Sequence, residues 1–232
     1  MNSFLLQIPL TTDSLSSPVI SEKTLSVIDL ITSGGIGGNL VMGALGLLSI
    51  FSVYILIERF SAIRKASIED DAFLKSIQNF VEAKDIEAAK TLCRNTDSPI
   101  SRMIEKGVNR INKPMTDISA AIENQGKLEV FKMENNLANL ATISGAAPMI
   151  GFLGTVIGMI VAFHEMASAG GNIDVEMLSK GIYTAMTTTV AGLIVGIIAF
   201  IAYNYLVSKV DKVVFMLEAK TTEFLDLLHH NE

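Results

Sequence analysis

The chain has 232 residues, half of them hydrophobic, with a positive mean hydropathy and a net charge of −6. That composition fits a membrane protein carrying one modest soluble part. Its single cysteine, Cys93, excludes an internal disulfide. Asp, Glu, Lys and Arg are missing altogether from three windows, 30–57, 135–163 and 181–208, and each is long enough as a helix to cross a hydrocarbon core of about 30 Å. The expected fold is therefore all-α: a polytopic membrane protein with three transmembrane helices, two of them extended into a cytoplasmic helical bundle.

The basic residues orient the chain. Of 18 Lys and Arg, 13 lie between Arg59 and Lys132, and Lys209, Lys212 and Lys220 follow the third window, whereas only Lys23 precedes the first and only Lys180 separates the second from the third. Basic residues stay on the cytoplasmic side, so the N-terminus is expected outside and the C-terminus inside. The expected parts are an outer segment 1–37, spans at 38–57, 138–163 and 181–206, a cytoplasmic helical domain 58–137, an outer loop 164–180 and a cytoplasmic C-terminal helix 207–232.

In chain order, residues 1–37 are polar and rich in Ser and Thr. The start, MNSFLLQIPLTTDS, has no basic residue and a short apolar run interrupted by Pro9, so it reads as mature chain rather than a secretory signal. The stretch SEKTLSVIDLI reads as a short amphipathic helix on the outer membrane surface. The first span is rich in large apolar residues, Leu40, Val41, Leu45, Leu47, Leu48, Ile50, Phe51, Val53 and Ile55, which suits a lipid-facing helix outside a core made by the other two. Glu58, Arg59, Arg64 and Lys65 then mark the cytoplasmic interface.

From 66 to 115 the pattern is helical and soluble, with Phe73, Leu74, Ile77, Phe80 and Val81 recurring every three to four residues. Ser98-Pro99 reads as an N-cap followed by proline at the first helical position, opening a helix whose stripe is Met103, Ile104, Val108 and Ile111. Interspersed Glu and Lys make this a solvated face and not a nucleic-acid surface. After Pro114 no breaker occurs until Pro148, so one helix is expected from about Thr116 to Met166, on the order of 75 Å long. Pro148 lies inside the span and predicts a kink. The small residues Gly145, Ala146, Ala147, Gly151, Gly154, Gly158 and Ala162 predict that much of this helix faces protein, since they let backbones approach closely. The third span is expected to continue into a helix with Val210, Val213, Val214, Leu217, Phe224, Leu225 and Leu228 on one stripe, packed on the extension of the second.

The polar chemistry inside the spans is threonine chemistry. At 100° per residue Thr184, Thr187, Thr188 and Ala191 share one side of the third span, and Ala185, Thr189, Gly192, Gly196 and Tyr203 an adjacent side, while Thr155 sits among glycines of the second. Two readings stay open at this point: each hydroxyl bonds its own helix carbonyl three or four residues back, or the hydroxyls line an ion or water path. No Asp, Glu, Lys, Arg or His lies deep in any span, and a proton relay through hydrocarbon needs an ionisable group. If protons pass, another chain must supply the carboxylate. His164 reads as a solvated interfacial residue, and His229 and His230 lack the Cys or acidic neighbours of a metal site. With no G-x-S-x-G, H-E-x-x-H or Walker motif, no enzyme activity, cofactor or metal is expected.

Two stretches, APMIGFLGTVIGM (147–159) and GIYTAMTTTVAGLIVGIIAFIAYN (181–204), closely resemble the signature segments of the MotA/TolQ/ExbB proton-channel family. The resemblance is strongest to the three-span ExbB/TolQ branch, and it covers most of the chain from Gly38 onward. It implies a homopentamer in the bacterial inner membrane, enclosing two single-span partners of the ExbD/TolR type whose intramembrane Asp carries the proton. By position Thr155 and Thr189 match the family's pore-facing threonines, with Thr184 and Thr188 added to the expected ion pathway. Pro148, Gly151 and Gly154 match its helix-packing motif, and Gly158, Gly192 and Gly196 are expected to serve the same packing and partner contact. Ile198 stands where many ExbB and TolQ proteins carry Pro, and Thr184 where they carry Glu, the latter leaving proton or sodium open as the coupling ion. The implied function is energisation of outer-membrane uptake through a TonB-like protein. TolQ-like and MotA-like motors, and a passive scaffold without ion flux, are the alternatives.

Overall fold

A computed structural model describes residues 36–67, 71–168 and 175–230, and among these the chain is helical without a strand. The expected amphipathic stretch 21–31 and the middle of the outer loop lie outside the described residues. The helices are α1 (Ile36–Ala66), α2 (Asp71–Glu82), α3 (Ile86–Asn95), α4 (Pro99–Val108), α5 (Met115–Glu134), α6 (Leu137–Ser168) and α7 (Val175–His230). Three helical runs are long and apolar enough to cross a membrane: α1, α5 with α6, and α7.

Local chemistry sets the short helices. Ser98 is extended (φ −137°, ψ 155°) with its hydroxyl accepting from Ser101 N, Ser101 Oγ accepts in return from Ser98 N, and Pro99 occupies the first turn. Asp85 caps α3 by accepting from Ala88 N at 3.0 Å. The apolar stripes then meet in one core outside the charge-free windows. Phe73, Ile77 and Val81 of α2, Ala89 and Cys93 of α3, Ile104 and Val108 of α4, and Ile118 and Ile122 of α5 are buried with Val210, Val213, Leu217, Phe224 and Leu228 of α7. Each such aliphatic side chain contributes about 1.5–3 kcal/mol of transfer free energy. Burial, and secondarily the charge of Glu105, pushes the Cys93 thiol up to about 12, so it acts as a small apolar filler.

The continuous helix expected from Thr116 to Met166 is interrupted once. Asn135 is extended (φ −52°, ψ 138°) and Asn136 is left-handed (φ 65°), and α6 restarts at Leu137. Asparagine is one of the few side chains that visit this region readily, because its short polar group bonds locally. The ladder loses little: Asn135 N still donates to Phe131 O, and Leu140 N to Asn136 O. The helix runs through Pro148 without a break. Ser144 O, which would have accepted the missing proline N–H, faces Gly196.

Within the spans α6 and α7 pack along their whole shared length through small residues. A Cβ on Gly192 would lie 2.6 Å from Ala147 O, one on Gly151 would lie 2.7 Å from Thr188 O, and one on Gly196 would lie 2.6 Å from Pro148 Cγ. Further out, Cβ atoms on Gly158 and Gly181 would press on Ala185 and Ala162. α1 lies across this pair with Val41, Leu45 and Ile55 buried, leaving Leu40, Leu47 and Ile50 outward.

Ion pairs fix the foot of α1 to the helices of this core. Buried Glu129 accepts from Arg102 (2.8 Å), Lys132 (2.9 Å) and Gln125 (2.8 Å). Arg102 also binds Asp97 (2.7 Å), Asp97 binds Lys65 (2.7 Å), and Arg59 donates to Lys132 O (2.9 Å). Burial pushes the Glu129 carboxyl up, but the hydrogen bonds and charges of Arg102 and Lys132 outweigh it and hold the group below the usual carboxylate range.

Two outcomes are expected. Gly192→Ala forces a backbone shift and should lower stability by about 1–3 kcal/mol, whereas Gly145→Ala, with nothing within 4 Å of the new methyl, should be neutral or stabilising by up to about 1 kcal/mol. Equal melting temperatures in detergent would contradict the packing described. For Glu129 the folded pKa is depressed, so its contribution is complete above the unfolded carboxylate pKa and disappears as pH falls through the folded value. Glu129→Gln should cost about 1–3 kcal/mol at neutral pH, and the difference from the native chain should close on acidification in circular dichroism melts.

Candidate functional site

The threonines predicted from periodicity divide into three kinds. Thr187 Oγ1 donates to its own helix at Tyr183 O (2.9 Å), the local bond. Thr184 is half-buried, with its methyl 3.8 Å from where a Cβ on Gly38 would sit, so it belongs to the contact between α1 and α7. Thr155, Thr188 and Thr189 instead come together across the α6–α7 seam.

Their bonds cross in both directions. Thr155 of α6 donates to Ala185 O of α7 (3.0 Å), while Thr188 and Thr189 of α7 each reach Gly151 O of α6 (both 3.1 Å). Thr188 also reaches Ala185 O at 2.7 Å, and the hydroxyls of Thr155 and Thr189 are in hydrogen-bond contact with each other. The hydroxyls reach because the backbones are so close, and the backbones are close because position 151 has no side chain. Thr188 is 2% exposed, and a Cβ on Gly154 would meet its Oγ1 at 2.5 Å, whereas Thr155 and Thr189 are half-buried.

Three hydroxyl protons serve two carbonyls and three hydroxyl oxygens, so the cluster has more lone pairs than donors. Such a cluster can take a hydrogen bond from water, or an electrostatic contact from a cation, and can relay hydrogen bonds by rotating its hydroxyls. It cannot hold a charge, since threonine does not titrate. The charge-free character of the spans stands: His164 and His229 are exposed, and His230 has its side chain outside the described residues. Among the described residues no group of three His, Cys, Asp or Glu could hold a metal.

The six residues expected for packing fall along the same seam. Pro148 meets Gly196, Gly151 meets Gly192, Gly158 meets Ala185, and Gly154 meets Thr188 together with Val41 of α1. Sequence reasoning missed the two acceptor carbonyls, Gly151 O and Ala185 O, and the Gly181–Ala162 contact. The last had a signal, a small residue at the matching end of each span; the carbonyls had none beyond their threonine neighbours.

Comparison with known proteins gives the seam its context. A family model described as the MotA/TolQ/ExbB proton channel family matches residues 95–219, more than half of the chain. A protein of Methanothermobacter thermautotrophicus, named as a biopolymer transport protein ExbB homolog, is 28% identical over 80% of this chain and 64% of its own length, so the chain spans less than two thirds of that relative. The Tol-Pal system protein TolQ of Pseudomonas aeruginosa is 26% identical over 91% of this chain and 96% of its own length. The biopolymer transport protein ExbB of Helicobacter pylori is 40% identical over 34% of this chain and 54% of its own length. With that match running from α4 through both helices of the threonine seam, this multi-pass membrane chain belongs to the MotA/TolQ/ExbB proton channel family.

Proposed function

We propose that the chain is the ion-conducting subunit of a bacterial inner-membrane motor that couples the proton motive force to work on a partner protein, in ExbB-like energisation of TonB-dependent outer-membrane transport. The observation that carries this reading is the Thr155–Thr189 hydroxyl pair, set in a seam that contains oxygen acceptors and no charge. In this reading a single-span ExbD/TolR-like protein brings an intramembrane Asp against that pair, and Thr184 and Thr188 flank the path. The subunit acts as a homopentamer, with its N-terminus periplasmic and its C-terminus cytoplasmic, a reading supported by the distribution of the basic residues. Support for further copies comes from Phe131 and Phe215, 71% and 73% exposed beyond the charge-free windows, where lipid does not cover them. A TonB-like protein would receive the work.

A TolQ-like role in the envelope has its own support, because the Pseudomonas TolQ match extends over nearly the whole of both chains. The passive-scaffold alternative is favoured by one observation, that the seam hydroxyls already bond within the protomer. Flux into proteoliposomes with and without the partner chain separates scaffold from motor, since a scaffold gives no difference.

Thr155→Val and Thr189→Val should each lower partner-dependent flux about tenfold, the equivalent of one hydrogen bond of about 1.4 kcal/mol, with pentamer levels unchanged. Leu at either site should also disturb assembly, because the seam is close-packed. Thr184→Val should lose less. Thr188→Val should cost about 0.5–2 kcal/mol of stability by removing a buried interhelical bond. Full flux in both the Thr155 and Thr189 variants would assign these hydroxyls to structure alone.

A further inference from the structure

At the ends of the charge-free windows, between α1 and α7, lies a cavity of about 350 Å3 lined by Phe60, Ile63, Arg64, Ser67, Tyr205, Leu206 and Lys209. Its position follows from sequence: Phe60 and Arg64 come just after the charge-free window of α1, and Tyr205 and Lys209 straddle the end of the window of α7. This is the depth at which a bilayer changes from hydrocarbon to headgroup. Buried Ile63 and Leu206 make an apolar floor, and the Phe60 and Tyr205 rings stack at 6.3 Å between centroids.

The charges around this cavity are unbalanced. At the foot of α1, Arg59 is committed to Glu58 and Lys132 O, and Lys65 to Asp97. Arg64 has no carboxylate partner among the described residues. On α7, Lys209 lies over the Tyr205 ring, 5.5 Å from its centroid, and likewise has no carboxylate partner there. No Asp or Glu among the described residues lines the cavity. Two cations without a carboxylate partner among the described residues, a serine and a phenol thus line one concave site with an apolar floor.

We propose that this cavity binds the phosphate headgroup of an anionic phospholipid of the adjacent leaflet, with Arg64 and Lys209 as its cationic ligands. The guanidinium offers a planar fork that matches two phosphate oxygens, and the ammonium a point charge from the opposite helix. Ser67 and Tyr205 supply hydroxyl donors, and Ile63 and Leu206 meet the glycerol and first acyl carbons. The volume holds roughly ten water-sized groups at about 30 Å3 each, enough for a phosphodiester head. Basic pockets between spans on the cytoplasmic side have this affinity for acidic headgroups in general. The site needs only that α1 and α7 span the bilayer, and it stands whether or not the chain conducts ions.

The test is native mass spectrometry of the full-length protein in detergent, titrated with phosphatidylglycerol, with phosphatidylcholine and with inorganic phosphate. Phosphatidylglycerol should be retained in preference to phosphatidylcholine. Arg64→Gln with Lys209→Gln should weaken that retention roughly thirtyfold, about fivefold per cation, while Lys212→Gln, an exposed cation outside the cavity, should leave it unchanged. Tyr205→Phe, which keeps the ring and removes the hydroxyl, should give a smaller loss and guards against misfolding of the double variant. Equal retention of the two lipids, undiminished retention in the double variant, or displacement of the lipid by inorganic phosphate at comparable concentration would overturn the proposal.

Discussion

The approach of α6 to α7 at Gly151 and Gly192 is the contact on which the membrane half of the molecule depends. Lipid tails are as apolar as leucine, so nothing drives two apolar helices together in a bilayer except close packing and the polar bonds it permits. Here the backbones come near enough that a single methyl on either glycine would strike the opposite main chain. That proximity brings Gly151 O within reach of two hydroxyls from α7, and Ala185 O within reach of one from α6. It also creates the groove in which Val41 and Leu45 of α1 lie.

Polarity is distributed in a complementary way on the two sides of the interface. In the spans it consists of hydroxyls and carbonyls that need no counter-charge, the form of polarity that hydrocarbon tolerates at least cost. Just beyond them charge is abundant, and much of it is tightly partnered: Glu129 is enclosed by Arg102, Lys132 and Gln125, and the chain of pairs continues through Asp97 to Lys65, while Arg64 and Lys209 stand apart from it. Breaking one member of such a cluster leaves a buried charge uncompensated, which makes it a device for fixing geometry more than for adding stability.

Much of this was legible before any coordinates. The absence of charge located the spans, the three-to-four spacing of Ile77, Val81, Ile104 and Val108 marked the faces that are buried, and Ser98-Pro99 marked the start of α4. The glycine positions pointed to a close helix contact but not to its register, which depends on how two helices slide against one another. For that reason Thr188 was grouped with Thr184 and Thr187 on one side of α7, although only Thr188 of the three reaches Gly151 O. The interruption at Asn136 was not foreseen, because an asparagine pair is a weak signal beside Pro148, and the choice rests on one residue's φ (65°). The Arg102–Glu129 pair joins residues 27 positions apart, a separation no periodicity argument reaches.

The two long helical runs differ in mechanical kind. α7 is a single helix of 56 residues, about 84 Å at 1.5 Å per residue, so one rigid element carries Thr189 in its membrane arm and Phe224 and Leu228 in the arm beyond the span. A change of tilt at one arm displaces the other in proportion. The run formed by α5 and α6 contains an elbow at Asn135–Asn136, where rotation about a few backbone bonds changes the angle between its arms. Since α5 is packed to the extension of α7 in the core that holds Ile122, Leu217 and Phe224, any reorientation of that extension would have to be taken up at the backbone break between α5 and α6.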